Sequence, residues 1–126
     1  MGLSHDSELS NRVIKLAIDV HRQLGPGLLE SAYEQCLCFE LKQNDIEHAR
    51  QVPPPVIYKS VRLDCGYRMD IVVERQLILE IKSIEQILAI HEAQMLTYLR
   101  ISRLKIGLLM NFNNVVLKDG LRRFVL

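Results

Sequence analysis

Two apolar runs, residues 66–73 and 76–82, are separated only by Glu74-Arg75. A link that short between two extended segments predicts an antiparallel hairpin with a tight turn. Both runs are apolar on both faces apart from a few charges. That pattern suits strands covered on both sides, at the centre of a sheet. The charges that break the pattern are Asp70 in the first run and Glu80 and Lys82 in the second.

The flanking sequence supplies the covering layers. Residues 8–24 carry Val13, Ala17, Val20 and Leu24 at helical spacing, with Ile14, Ile18 and His21 widening the stripe. Gly25-Pro26-Gly27 stops this helix, with Gly25 as its C-terminal cap. Residues 28–43 read as a second helix, ended by Asn44-Asp45. Residues 51–55, Gln-Val-Pro-Pro-Pro, are unsuited to a central strand because proline lacks the ladder donor, and they read as an extended lead-in to a strand at 56–59. A third helix is expected over 85–101, a buried strand over 105–112, and an edge strand in the tail from Val115 to Leu126. A helix between two apolar strands suggests a crossover unit, hence an α/β fold with a mixed central sheet.

The chain has 126 residues, the size of one domain, so 1–126 is read as a single unit. Hydrophobic residues make up 48%, enough for a core, while aromatics are only 6% without Trp, so that core is expected to be mainly Leu, Ile and Val. Charges interrupt every apolar stretch well before ~18 residues, which excludes a membrane helix. The start has no basic segment followed by an apolar run, and Asp6 stands where a myristoylation motif needs Ser or Thr. Neither a signal peptide nor a lipid anchor is therefore expected, and the location is read as cytoplasmic. Cys36, Cys38 and Cys65 form no CxxC pair, so neither a disulfide framework nor a zinc knuckle is expected. Cys36 and Cys38 read as reduced, buried thiols. The net charge of +1 is uninformative, although the segment after Ala93 holds six basic residues against Asp119 alone.

Carboxylates in a buried strand are costly unless paired or metal-bound. Side chains two apart on a strand point the same way, roughly 6–7 Å from each other. Glu80 and Lys82 therefore share one face, and the short turn brings Asp70 beside it. Two acids and a lysine converging on one point suit phosphodiester hydrolysis. Hard oxygen ligands hold Mg²⁺ or Mn²⁺, the ion lowers the pKa of a bound water, and a lysine stabilises charge developing on the phosphate. The competing explanation is a buried Asp–Lys or Glu–Lys ion pair with a structural role. Glu30 is spaced with Tyr33 and Leu37, so it should border the apolar face of the second helix. Either a site residue or a side chain whose stem lies on the core would fit there. Gln94 and Tyr98, four apart on the third helix, present polar atoms on one side, which fits an ordinary helix surface equally.

Glu30 on an early helix, Asp70 on a strand, Glu80-x-Lys82 on the next and Gln94-x-x-x-Tyr98 on the following helix together resemble the RecB/Cas4-like branch of the PD-(D/E)XK nuclease superfamily. The chain is more similar still to the small GxxExxY family, through Gly27-Leu28-Leu29-Glu30-Ser31-Ala32-Tyr33. Tyr67-Arg68-Met69-Asp70, Leu79-Glu80-Ile81-Lys82, His91-Glu92-Ala93-Gln94 with Tyr98-Leu99, and the run from Gly107 to Phe112 extend the likeness from about Asn11 to Arg123. Met69 stands where the superfamily's name has proline.

The resemblance implies a restriction-endonuclease-like core. It implies a divalent metal held by Asp70, Glu80 and the Ile81 carbonyl, with Glu30 holding a metal-bound water or a second metal. Lys82 would act on the attacking water, and Gln94 and Tyr98 would position substrate or brace the site. Cas4-type enzymes carry a four-cysteine cluster that three cysteines do not supply, so no iron–sulfur cluster is expected. Three functions remain open. One is a metal-dependent nuclease acting on DNA or RNA. Another is a non-catalytic nucleic-acid-binding or protein-interaction module that keeps the fold. The last is a structural domain with paired buried charges. The chain is little more than a core, so a homo-oligomer or a partner protein is expected to help hold substrate.

Overall fold

The computed structural model describes residues 5–126, with side chains from Glu8 onward. Met1–Ser4, on which the leader and lipid-anchor expectations partly rest, lie outside the described residues. The elements run α1 (His5–Leu24), α2 (Glu30–Gln43), β1 (His48–Val52), β2 (Val56–Tyr58), β3 (Val61–Leu63), β4 (Met69–Val73), β5 (Leu77–Lys82), α3 (Ala89–Ser102), β6 (Ile106–Asn111), a 3₁₀ turn (Leu117–Gly120) and β7 (Leu121–Val125). Five strands form one sheet in the order β1-β4-β5-β6-β7, and β2 and β3 form a separate ribbon. Only β5 and β6 are parallel, and α3 makes the crossover between them. This is an α/β fold with a mixed central sheet flanked by helices. No helix among the described residues is long and apolar enough to cross a membrane.

The expected hairpin is β4–β5, paired from Val73↔Leu77 to Ile71↔Leu79. Glu74 and Arg75 both take positive φ, 49° and 55°, the conformation of the two-residue turn that matches strand twist. Alternation along β5 divides the core. Leu77, Leu79 and Ile81 join the cluster built with α1 and α2, while Ile78 joins Met95, Tyr98 and Leu99 of α3. Gly107 of β6 lets α3 approach: a Cβ there would collide with the Met95 sulfur.

Several boundaries differ from expectation. α2 begins at Glu30 and not 28, because Leu28 N–H bonds the Tyr33 hydroxyl outside the helix (3.1 Å). α3 begins at Ala89 and not 85, because Asn111 captures both Ile84 N–H (3.1 Å) and Ile84 C=O (2.9 Å) and holds the segment after β5 out of helical geometry. β4 begins at Met69 and not 66. Residues 48–52, including Gln51 and Val52, form a paired strand at the sheet edge that was not expected; it ends just before Pro53, where the ladder donor is lost. The strand at 56–58 pairs with 61–63 and stands outside the main sheet. The tail adds the expected edge strand, confined to Leu121–Val125. Cys38 is buried but Cys36 is only half-buried, being one position off the helix's inward stripe.

Candidate active site

The sheet is opened locally at Asp70. Pairing with β5 stops at Ile71↔Leu79, and pairing with β1 passes from Arg50↔Ile71 to Val52↔Met69 without a Gln51 partner. Gln51 sits at φ 53°, unusual for a residue with a side chain. The alternation of β4 fails at the same place, since Met69 and Val72 both join the α3 cluster.

Side chains complete what the ladder leaves unmade. Asp70 N–H donates to Glu80 Oε2 at 2.8 Å, and Ile81 N–H donates to Asp70 Oδ2 at 2.8 Å. Each carboxylate thus replaces a missing backbone acceptor, and the two carboxyl groups are held in hydrogen-bonding contact with each other.

The electrostatics of this pair are unfavourable to double ionisation. Burial, and after it the neighbouring Asp70 charge, pushes the Glu80 carboxyl up to about 8. Burial also raises Asp70, opposed by the Ile81 N–H and by Lys82, and reinforced by Glu34 and Glu30. Lys82 lies two residues from Glu80 and its charge stabilises both anions. It nevertheless makes no ion pair: the pairs among the described residues are Arg50–Glu34, Arg68–Asp64, Arg75–Glu47 and Arg122–Glu92. The structural explanation of a bonded Asp–Lys or Glu–Lys pair is therefore not what the fold contains.

Glu30 is exposed and does not border the core as its spacing suggested, because it is the first residue of α2 and lies beyond the end of the buried stripe. Its carboxylate is still directed to the site, accepting from Ser83 N–H at 3.0 Å, one residue past Lys82. The motif around it explains this placement. The Tyr33 hydroxyl donates to Gly25 C=O (2.5 Å) and its ring stacks on Phe112 at 4.5 Å. Gly27 takes φ 98°, and Ser83 Oγ bonds Leu28 C=O (2.5 Å). The α1–α2 turn is thereby pinned over the end of β5.

Tyr98 is buried, and its hydroxyl is pushed up to about 12 by burial first and then by Glu80, Tyr67 and Asp70. Gln94 lines a groove beside Tyr98, while the bonds of Asp70 and Glu80 go to backbone N–H groups and not to Gln94.

Glu34 is a further acid near the site that the sequence patterns do not single out. It is buried one turn beyond Glu30, bound by Arg50 at 2.6 Å and by Gln51 Nε2 at 2.8 Å. The i,i+4 spacing from Glu30 was a usable signal; the partners, from a strand that was not expected, were not.

Among the described residues no three His, Cys, Asp or Glu side chains form a ready-made metal cage. The donor set still fits a hard divalent cation. A buried and a half-buried carboxyl, side by side and resisting double ionisation, match an ion that keeps several waters and takes few protein ligands.

A family model of the PD-(D/E)XK nuclease superfamily matches residues 7–124, almost the whole chain. No curated protein and no solved structure matches it.

Proposed function

Since the chain belongs to the PD-(D/E)XK nuclease superfamily, we propose that it is a divalent-metal-dependent nuclease hydrolysing phosphodiester bonds in DNA or RNA, and that it is one of the GxxExxY proteins of the RecB/Cas4-like branch. The observation that carries this reading is the opened ladder, where Glu80 accepts Asp70 N–H and Asp70 accepts Ile81 N–H, with Lys82, which makes no ion pair with a described residue, two residues past Glu80 on β5. A fold with no use for these charges would be more stable with apolar residues in their place.

In this reading Asp70, Glu80 and the Ile81 carbonyl hold Mg²⁺ or Mn²⁺, with Glu30 acting through water. The ion supplies Lewis-acid polarisation of the phosphate and lowers the pKa of a bound water. Asp70 and Glu80 are kept in register by the Ile81 and Asp70 N–H groups, so little side-chain ordering remains to be done at binding. Lys82 orients the attacking water or meets the charge that develops on the phosphate. Glu30, tied to Ser83 N–H, adds negative charge at the same end of β5. Gln94 and Tyr98 position substrate from α3.

Purified protein incubated with single- and double-stranded DNA and RNA, in Mg²⁺, Mn²⁺ or EDTA, tests the reading. Cleavage that EDTA and Lys82→Ala both abolish is expected. Cleavage indifferent to both would remove this site from the chemistry, and none under any condition would leave the non-catalytic binding module as the better account.

A further inference from the structure

The β2–β3 ribbon stands outside the main sheet. It pairs only with itself, and Ile57, Tyr58, Val61 and Leu63 are all exposed. The same stretch, with the loop leading into β4, holds Lys59, Arg62 and Arg68 against Asp64. Arg68 is tied to Asp64, whereas Lys59 and Arg62 have no ion pair with a described residue.

Between the ribbon and α3 runs a groove of about 350 Å³ lined by Val56, Tyr67, Ile90, Gln94, Tyr98 and Ile101, with Ala93 and Thr97. No charged side chain lines it. The Tyr67 ring, 51% exposed, stands edge-on to Tyr98 at 6.4 Å. Tyr98 packs in one cluster with Met69, the residue before Asp70, so one wall of the groove adjoins the strand that carries the acidic site.

Resting on the nuclease reading, we propose that this groove is a subsite for one unpaired nucleobase flanking the scissile phosphate, stacked against Tyr67. The protein's substrate is accordingly a single-stranded or locally unpaired nucleic acid. An uncharged, mainly apolar groove with the polar side chains of Gln94, Thr97, Tyr67 and Tyr98 in its lining suits a base and not a phosphate. Lys59 and Arg62 on the adjoining ribbon supply the cations that follow a sugar–phosphate backbone. Aromatic platforms beside basic residues are how unpaired strands are bound without sequence preference.

The test is fluorescence anisotropy in EDTA, so that nothing is cleaved. Fluorescein-labelled single-stranded DNA and RNA oligonucleotides, their duplexes, and an abasic version of the DNA are each titrated with wild type, Tyr67→Ala and Ile90→Ala. The expected result is tight binding of single strands and weak binding of the abasic strand. Tyr67→Ala should lose about tenfold to a hundredfold in affinity. The DNA and RNA arms identify which sugar the subsite accepts. Equal binding by Tyr67→Ala, or duplex and abasic strands bound as tightly as the intact single strand, would overturn the subsite. So would sedimentation showing this groove closed inside a dimer that Tyr67→Ala dissociates. Wild-type hydrolysis of bis(p-nitrophenyl) phosphate with Mn²⁺ probes the nuclease reading separately, because that ester has no nucleobase.

Discussion

Glu80 accepts the backbone N–H of Asp70 at 2.8 Å, while Asp70 accepts the N–H of Ile81, the residue after Glu80, at the same distance. Two acids on neighbouring strands therefore each hold the backbone of the opposite strand. Each prevents an orphaned N–H in a part of the sheet where the ladder is absent, which costs less than leaving a buried donor unsatisfied. The same arrangement sets two carboxyl groups side by side that resist ionising together, and a cation would let both do so.

Stability in EDTA should fall as pH rises. The folded-state carboxyl of Glu80 lies at about 8 against an ordinary 4.5, and Asp70 is raised too. Between those limits the native state holds more protons than the unfolded state, so the unfolding free energy declines with pH. The loss should be on the order of a few kcal/mol, or roughly ten degrees in Tm, by scanning calorimetry from about pH 4.5 to 8. Mg²⁺ should flatten the curve. A Tm that rises across this window would contradict the assigned burial.

Asp70→Asn should abolish the Mg²⁺-dependent increase in Tm. The amide oxygen can still accept Ile81 N–H, so the metal-free variant should melt within a few degrees of wild type. An equal Mg²⁺ shift in both proteins would place the ion elsewhere.

Lys82→Ala should lower cleavage by about a hundredfold or more, with a change of less than about 1 kcal/mol in stability. Lys82 has no ion pair to lose, so denaturant midpoints and kcat should separate cleanly. Undiminished cleavage would remove it from the chemistry.

Glu30→Gln should retain the bond from Ser83 N–H but lose the charge. Activity and Mg²⁺ affinity should both drop while Tm is held. If calorimetric titration finds wild-type affinity and turnover is unchanged, Glu30 is only a clip between the α1–α2 turn and β5.

Arg50→Met should destabilise by about 1–3 kcal/mol, leaving Glu34 buried and charged. Combining it with Glu34→Gln should recover part of the loss, because the orphaned charge is gone. Additive losses in the urea-melt cycle would mean the pair is uncoupled.

The hairpin, the crossover and the placement of Asp70 beside Glu80 were legible from the chain alone. They rest on short-range rules: a two-residue link can only reverse a strand, and side chains alternate along it. The Gly25 cap and the inward stripe of α1 through Val13, Ala17, Val20 and His21 were legible for the same reason, whereas Leu24, in the last turn, is exposed. What the sequence could not supply depended on groups far apart in the chain. Glu34 became visible only with Arg50 and Gln51, which lie on an edge strand whose alternation is too weak to read. The late start of α3 depends on Asn111, which lies 27 residues from the Ile84 it holds. The gap at Asp70 could not be inferred either, since it needs two ladders to fail at one residue and two carboxylates to fill the space. Local spacing determines which residues face the same way. Only the packed sheet decides which backbone groups go without a partner, and so which side chains must serve in their place.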